Sequence, residues 1–325
     1  MTPNSLRTIV EKFSGLEIAV VGDLMMDEYV WGSASRVSPE SPVLVIDVDR
    51  ETAVPGGAAN VAANVSALGA SASVFGAVGD DVHGERLTRS LEERGLKTEG
   101  VVVDRSRPTT RKTRVVAQNQ QVLRVDRERT HPMPAEVSGD LVDRFRNLVQ
   151  RIDAVLVSDY AKGVINDDTL PTMIQISKEF GKPVIANGKP GNTRLLAGAT
   201  LMSLNLSEAI ATSGDKGFAG DDIDALGFAL RKQLGVGTLV VTRGSRGLSA
   251  WSEEGTSVTV PARRVEVYDV AGAGDTAITL FALSLTSGAS LEEAAHLAVI
   301  AASLVIGKVG VATVTSDELT AQLES

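Results

Sequence analysis

Tyr268-Asp-Val-Ala-Gly-Ala-Gly-Asp-Thr276 is the stretch on which the reading of this chain turns. Val265-Glu-Val-Tyr268, which leads into it, alternates as a strand does, and Ala277–Leu285 after it is apolar enough for a buried helix. The spacing therefore predicts a strand, a Gly-rich turn and a helix in succession. Gly272 and Gly274 permit backbone geometry that other residues resist. The free N–H groups at the start of a helix point toward any anion placed there. An acidic residue inside an anion-binding turn is a conflict unless it has a task. Asp275 falls about where a phosphoryl acceptor must lie, as a base or orienting group for a hydroxyl. Taken alone, the same residues also read as an ordinary turn, with Asp275 a first-turn carboxylate favoured by the helix dipole. The stretch is not a Walker A loop, since no Gly-Lys-Ser/Thr follows it, and the N-terminal region lacks Gly-x-Gly-x-x-Gly.

Outward from this stretch, strand and helix patterns alternate. Ile18–Gly22 reads as a buried strand, Gly57–Leu68 as a helix stopped by Gly69, Ser71–Val78 as a strand and His83–Arg94 as a helix. Later come strand Ala154–Ser158, helix Leu170–Phe180, strands Pro183–Ala186 and Thr200–Leu204, helix Asp222–Leu234 and strand Thr238–Thr242, with a hairpin through Gly244–Gly247. Helices near 273–286, 291–306 and 316–323 finish the chain. Two stretches break the rhythm. Residues 30–54 and 101–127 are β-rich without crossover helices, which predicts a small sheet standing off the main body.

Composition agrees with helices packed on a parallel sheet. Hydrophobic residues make up 43% and aromatic ones only 4% of the 325 residues, so small aliphatic side chains dominate the layers. The net charge of −9, with no basic tail, argues against nucleic-acid binding. No cysteine is present, so disulfides and thiolate metal sites are excluded, and His83, His131 and His296 do not pair at metal spacing. Met1–Phe13 has no signal-peptide pattern, and the longest apolar run, Ala294–Ile306, is too short to span a bilayer, so a cytoplasmic protein without a membrane partner is expected.

Near the N-terminal end lies a second informative segment, Pro55-Gly-Gly-Ala-Ala-Asn60 followed by Val61-Ala-Ala-Asn64. Gly56 and Gly57 let backbone approach a ligand, and Asn60 and Asn64 share a helix face at i, i+4, where neutral amides can read sugar hydroxyls. This segment and Asp269-Val-Ala-Gly-Ala-Gly-Asp275 together resemble the two signatures of the ribokinase-like (PfkB) carbohydrate kinases. Within that family the chain is most similar to the D-glycero-β-D-manno-heptose 7-phosphate kinases. The likeness is carried by Val21–Asp27, Ser35–Val43, Arg114 through Asn119-Gln-Gln121 to Arg124 and Asp126, Ser158–Gly163 and Asn205–Glu208.

The resemblance implies a ribokinase-like three-layer α/β/α sandwich, with a mainly parallel sheet and a protruding β lid, as one kinase domain over residues 1–325. It implies Asp275 as catalytic base, with the amides of Gly272, Ala273 and Gly274 as an anion hole. Asp23, Gly56, Gly57, Asn60 and Asn64 would hold the sugar. Lys162 is the foremost of several cations (with Arg111, Lys112, Arg114, Arg124 and Arg127) for the sugar's far phosphate. Asn187, Asn205, Leu206, Ser207, Glu208, Thr242, Gly244 and Gly247 would line the ATP side, with Glu208 acting indirectly on Mg²⁺, and a monovalent cation such as K⁺ would sit near Asp269 and Gly310. Two departures stand out. Ala271 replaces the Thr usual in the C-terminal signature, and Asn187-Gly-Lys189 replaces Asp-Pro-Lys.

The expected reaction is ATP-dependent phosphorylation of the C1 hydroxyl of D-glycero-β-D-manno-heptose 7-phosphate to the 1,7-bisphosphate, a step toward ADP-heptose for lipopolysaccharide. A kinase for another sugar, or a silent sugar- or nucleotide-binding relative, are the alternatives. Because no His-x-Gly-His motif is present, the chain is expected to act as a kinase without the adenylylating half. Exposed lid edges and the resemblance together predict a homodimer through the lid.

Overall fold

Strand β1 (Glu17–Gly22) sets the frame, because its residues point alternately into two different cores. Ile18 and Val20 join one hydrophobic cluster while Ala19 and Val21 join the other. The computed structural model describes residues 2–118, 120–219, 223–308, 310 and 312–323. The other strands of this sheet are β4 (Ser71–Gly79), β5 (Lys97–Asp104), β8 (Ala154–Ser158), β9 (Val184–Asn187), β10 (Leu201–Asn205), β11 (Thr238–Thr242), β12 (Leu248–Ser252) and β13 (Ser257–Val260), and the intervening strands form a second sheet. Their order is β13-β12-β11-β10-β9-β8-β1-β4-β5. From β11 to β5 every neighbouring pair is parallel, and β12 and β13 add an antiparallel margin.

Helices cover both faces, which is why the strands are apolar on both sides. In chain order they are α1 (Pro3–Glu11), α2 (Ala58–Ala67), α3 (Val82–Glu93), α4 (Ala135–Leu148), α5 (Leu170–Glu179), α6 (Leu206–Ser213), α7 (Asp224–Leu234), α8 (Ala273–Thr286), α9 (Leu291–Ile306) and α10 (Ser316–Ala321). One core packs α2, α8 and α9 on the sheet through Val61, Phe281 and Leu297, and the other packs α4, α5 and α7 through Phe145, Met173 and Leu230. The three-layer sandwich expected from the sequence is the observed architecture.

A second sheet stands apart, with β2 (Leu24–Val37), β3 (Leu44–Gly57), β6 (Thr110–Ala117) and β7 (Gln120–Arg127) in the order β3-β2-β6-β7. Its β2–β6 pair is parallel, while β2–β3 and β6–β7 are antiparallel. Every residue of β7 is exposed, and Leu44, Val48, Leu123 and Val125 present apolar surface.

Several expectations need correction. Val101–Val103 belong to β5, the margin of the main sheet, and not to the protruding one; their pairing with Gly76–Val78 overrides the lack of a nearby helix. The protruding sheet starts at Leu24 and returns to Gly57, wider than residues 30–54, because β2 and β3 run on as one long ladder to the sheet's floor. Val265–Tyr268 is not a strand. Val265 and Val267 are exposed, no ladder forms, and the Tyr268 amide is satisfied by Ile306 O at 2.8 Å. Helices α1, α4 and α6 were not foreseen; α4 buries Leu141, Val142 and Phe145 along one face of a largely polar segment. Asn119, in the resemblance stretch, and Asp222, the expected start of α7, lie outside the described residues.

Candidate active site

The ends of β1, β8, β9, β10 and β11 and the start of α8 converge on one side of the sheet, where ligands of open α/β sheets bind. Asp275 lies in the first turn of α8 and is 6% exposed. Gly272 is the N-cap, with φ of +83°, a left-handed conformation that a side chain would oppose. The amides that follow it have no carbonyl partner earlier in the helix. Ala273 N makes only a long 3.4 Å contact with Val270 O, and Ala271 N donates to Asp269 Oδ1 at 2.9 Å.

Both oxygens of Asp275 are held. Tyr160 Oη donates to Oδ1 at 2.7 Å, and Asn60 Nδ2 donates to Oδ2 at 2.7 Å. Burial pushes the Asp275 carboxyl above its ordinary range. The hydrogen bonds from Tyr160 and Asn60 and the charge of Lys189 pull it back, while Asp27 pushes with burial. Asn60 comes from α2, whose cap Gly57 has φ of +58° and lies so close to β2 that a Cβ would meet Asp23 O at 2.5 Å. Asn64, one turn on, is fully buried; Thr276 Oγ1 donates to its Oδ1 at 3.0 Å and its Nδ2 donates to Asn60 O at 2.9 Å. Asn64 thus ties α2 to α8, and it is Asn60 that faces the carboxylate.

Asp23 is 1% exposed and its carboxylate accepts three backbone amides of the loop after β8: Tyr160 N at 2.8 Å, Lys162 N at 3.0 Å and Val164 N at 3.1 Å. Burial, and then the charge of Asp159, pushes it up to about 6 against those three bonds. The same loop holds Ala161 at φ of +55°, and Ala161 N donates to Asp159 Oδ1 at 2.8 Å. A non-glycine residue in that region persists only where its surroundings over-determine it. Asp23 and Asp159 are that surrounding, and the loop they fix carries Tyr160.

Gly56 packs against Asp27, which pairs with Arg114. The other expected phosphate cations are paired as well. Lys162 Nζ lies 2.7 Å from Glu128, Lys112 lies 3.0 Å from Asp126 and 3.2 Å from Glu128, Arg124 lies 2.9 Å from Asp126, and Arg111 lies 3.4 Å from Glu28; Arg127 is on exposed β7. All of these belong to the protruding sheet or its border.

On the other flank, Asn205 caps α6 in a reciprocal box: Glu208 N donates to Asn205 Oδ1 at 2.9 Å and Asn205 N to Glu208 Oε2 at 2.8 Å. Leu206 and Ser207 form the turn between them. The second Glu208 oxygen receives Lys189 Nζ at 2.5 Å, and Lys189 also lies over the Tyr160 ring at 5.5 Å. Asn187 ends β9, where its carbonyl accepts Asp159 N at 3.1 Å. Thr242 ends β11, and Gly244 and Gly247 bound the turn into β12. Asp27, Asp159, Tyr160 and Lys189 were given no role from the sequence. Three of them, Asp159, Tyr160 and Lys189, lie within two residues of a strand end, a position that marks ligand contacts in this architecture. A groove of about 780 Å³, lined by Thr200, Thr238 and His296, opens at the opposite strand ends and includes none of these residues.

A ribokinase-like sandwich with a carboxylate at an amide-rich helix start defines the class as sugar kinase. The profile of the pfkB family carbohydrate kinases matches residues 16–318, and the chain belongs to that family. It is 40% identical over 98% of its length to the Bifunctional protein HldE of Syntrophotalea carbinolica, and 41% identical over 97% to that of Desulfatibacillum aliphaticivorans. The chain spans 65% and 64% of those two relatives. Among solved structures, Arabidopsis thaliana ribokinase complexed with ribose and ATP superposes with a TM-score of 0.77, at 22% identity, covering 95% of this chain and 99% of that one. Among the described residues no helix is long and apolar enough to cross a membrane.

Proposed function

We propose that this kinase transfers the γ-phosphoryl group of ATP to the C1 hydroxyl of D-glycero-β-D-manno-heptose 7-phosphate, with Asp275 as base. The observation that carries the catalytic part is the buried Asp275 carboxylate, clamped by Tyr160 and Asn60 in the first turn of α8. As the sugar oxygen bonds to the γ-phosphorus and the bond to ADP breaks, the hydroxyl proton passes to Asp275. The amides of Gly272, Ala273 and Gly274 offset charge on the transferred group. The substrate part is supported by the HldE-named relatives and by the matched stretches in the protruding sheet.

Asp23, Gly56, Gly57, Asn60 and Asn64 build the sugar side, with Asp23 and Asn64 acting through the backbone and through α8. Lys162 and Lys112, which share Glu128, are the cations for the far phosphate. Asn187, Asn205–Glu208, Thr242, Gly244 and Gly247 form the nucleotide side. No group of three His, Asp or Glu among the described residues could cage a metal, which fits an Mg²⁺ held chiefly by phosphates and water. Glu208, already tied to Lys189, would touch its water shell, and the ion would supply charge neutralisation of the phosphates. A monovalent cation near Asp269 and Gly310, a cytoplasmic location, a single domain over 1–325 and a homodimer through the exposed apolar face of the protruding sheet complete the proposal.

Sugar-dependent ADP release from Mg-ATP, measured with β- and α-heptose 7-phosphate, fructose 6-phosphate, fructose 1-phosphate and ribose, tests it. Turnover confined to the β-heptose 7-phosphate is the expected result. Preference for another sugar overturns the substrate, and absence of turnover with all five favours a silent binder. Asp275→Asn should lower kcat by at least about 10³-fold with ATP binding retained.

A further inference from the structure

Tyr160 has so far been described only by its contact, yet its hydroxyl makes one of the two side-chain hydrogen bonds to the Asp275 carboxylate. Its geometry is over-determined. The backbone amide is fixed by Asp23, the next residue is locked at positive φ, and the ring is capped by Lys189. A tyrosine kept only for packing does not need its hydroxyl aimed at a buried carboxylate. Burial, followed by the charge of Asp275 and the hydrogen bond to it, drives the Tyr160 phenol far above its ordinary range, so it stays a donor at any working pH.

We infer that Tyr160 is a positioning residue for Asp275: its hydroxyl pins Oδ1, as Asn60 pins Oδ2, so that the carboxylate keeps one orientation toward the sugar hydroxyl. The inference rests on Asp275 being the base. It assigns the hydrogen bond two effects, orientation of the lone pair that meets the sugar hydroxyl and a lowered proton affinity of the carboxylate. It also links the two flanks of the site, because Lys189 spans from Glu208 to the Tyr160 ring. The charged or titratable groups facing Tyr160 and Asp275 are Asp23, Asp27, Lys189 and Glu208.

The chain has three tyrosines, which makes 3-fluorotyrosine labelling a direct probe. In labelled protein, with the resonance of residue 160 identified by its loss in Tyr160→Phe, the ¹⁹F shift should follow a proton titration that vanishes in Asp275→Asn. A step arising from Asp23 would survive that substitution. With β-heptose 7-phosphate and Mg-ATP, Tyr160→Phe should raise the acidic limb of the kcat/KM profile by about one pH unit. Fluorotyrosine in a Tyr29→Phe, Tyr268→Phe background, being a stronger donor, should lower it. A ¹⁹F titration indifferent to Asp275→Asn, or a limb unmoved by Tyr160→Phe, overturns the inference. Retained turnover in Asp275→Asn would instead remove the base on which it rests, and the ¹⁹F result then stands apart as a statement about the hydrogen bond alone.

Discussion

Replacing Asp23 by Asn should change how stability depends on pH, by an amount the structure supplies. The Asp23 carboxyl moves from an ordinary 3.8 to about 6, first through burial and then through Asp159. Between those values the folded protein keeps a proton that the unfolded chain has released, so stability falls as pH rises through the window. The full contribution, present below 3.8 and lost above 6, is about 3 kcal/mol at ~1.4 kcal/mol per unit. Between pH 5 and pH 7 the loss is about 1.3 kcal/mol. Asn cannot titrate, so it lacks this component, although it costs stability at every pH because its amide cannot accept all three N–H groups. The stability gap between wild type and Asp23→Asn should therefore shrink by about 1.3 kcal/mol from pH 5 to pH 7, read from urea unfolding at closely spaced pH values. A gap that is constant or widens with pH would refute the reasoning, and with it the view that Asp23 is a buried anchor whose charge is an expense to the fold.

Two further substitutions test how the site is built. Arg107→Ala should destabilise by about 3–5 kcal/mol, because Arg107 and Asp104 are a buried pair and Arg107 also donates to Lys162 O at 2.6 Å and His131 O at 3.0 Å; a shift in the urea midpoint worth under about 1 kcal/mol would contradict this. Gly57→Ala should cost at least about 2 kcal/mol, since the added Cβ meets both a positive φ and the Asp23 carbonyl; an unchanged thermal midpoint would mean that β2 and α2 can separate more easily than their packing indicates.

Much of this molecule was legible residue by residue. Strands such as Ala154–Ser158 and Thr238–Thr242 are short apolar runs buried on both faces, a local signal, and α9 announces itself with Ser290 and Glu293 closing a capping box before an apolar run. The two Gly-rich signatures were legible for the same reason, since a tight turn at a helix start needs particular residues at fixed spacing. Local alternation failed at Val265–Tyr268, because a strand exists only where a neighbour supplies a ladder, and at Val101–Val103, because which sheet a strand joins is settled by its partners.

The pairing of distant polar groups belonged to tertiary structure. The sequence by itself determined that Asp275 opens a buried helix behind a glycine turn, and that Asn60 and Asn64 share a helix face. It could not determine that Tyr160 and Asn60 each take one oxygen of Asp275, that Asn64 turns instead to Thr276, or that Asp23 spends its carboxylate on the loop bearing Tyr160. Hydrogen bonds between residues 115 and 215 positions apart leave no periodicity in the chain. They are decided by the sheet order that sets β1 beside β8 and by α2 packing against α8, and only then do burial and neighbouring charge fix what each carboxylate can do.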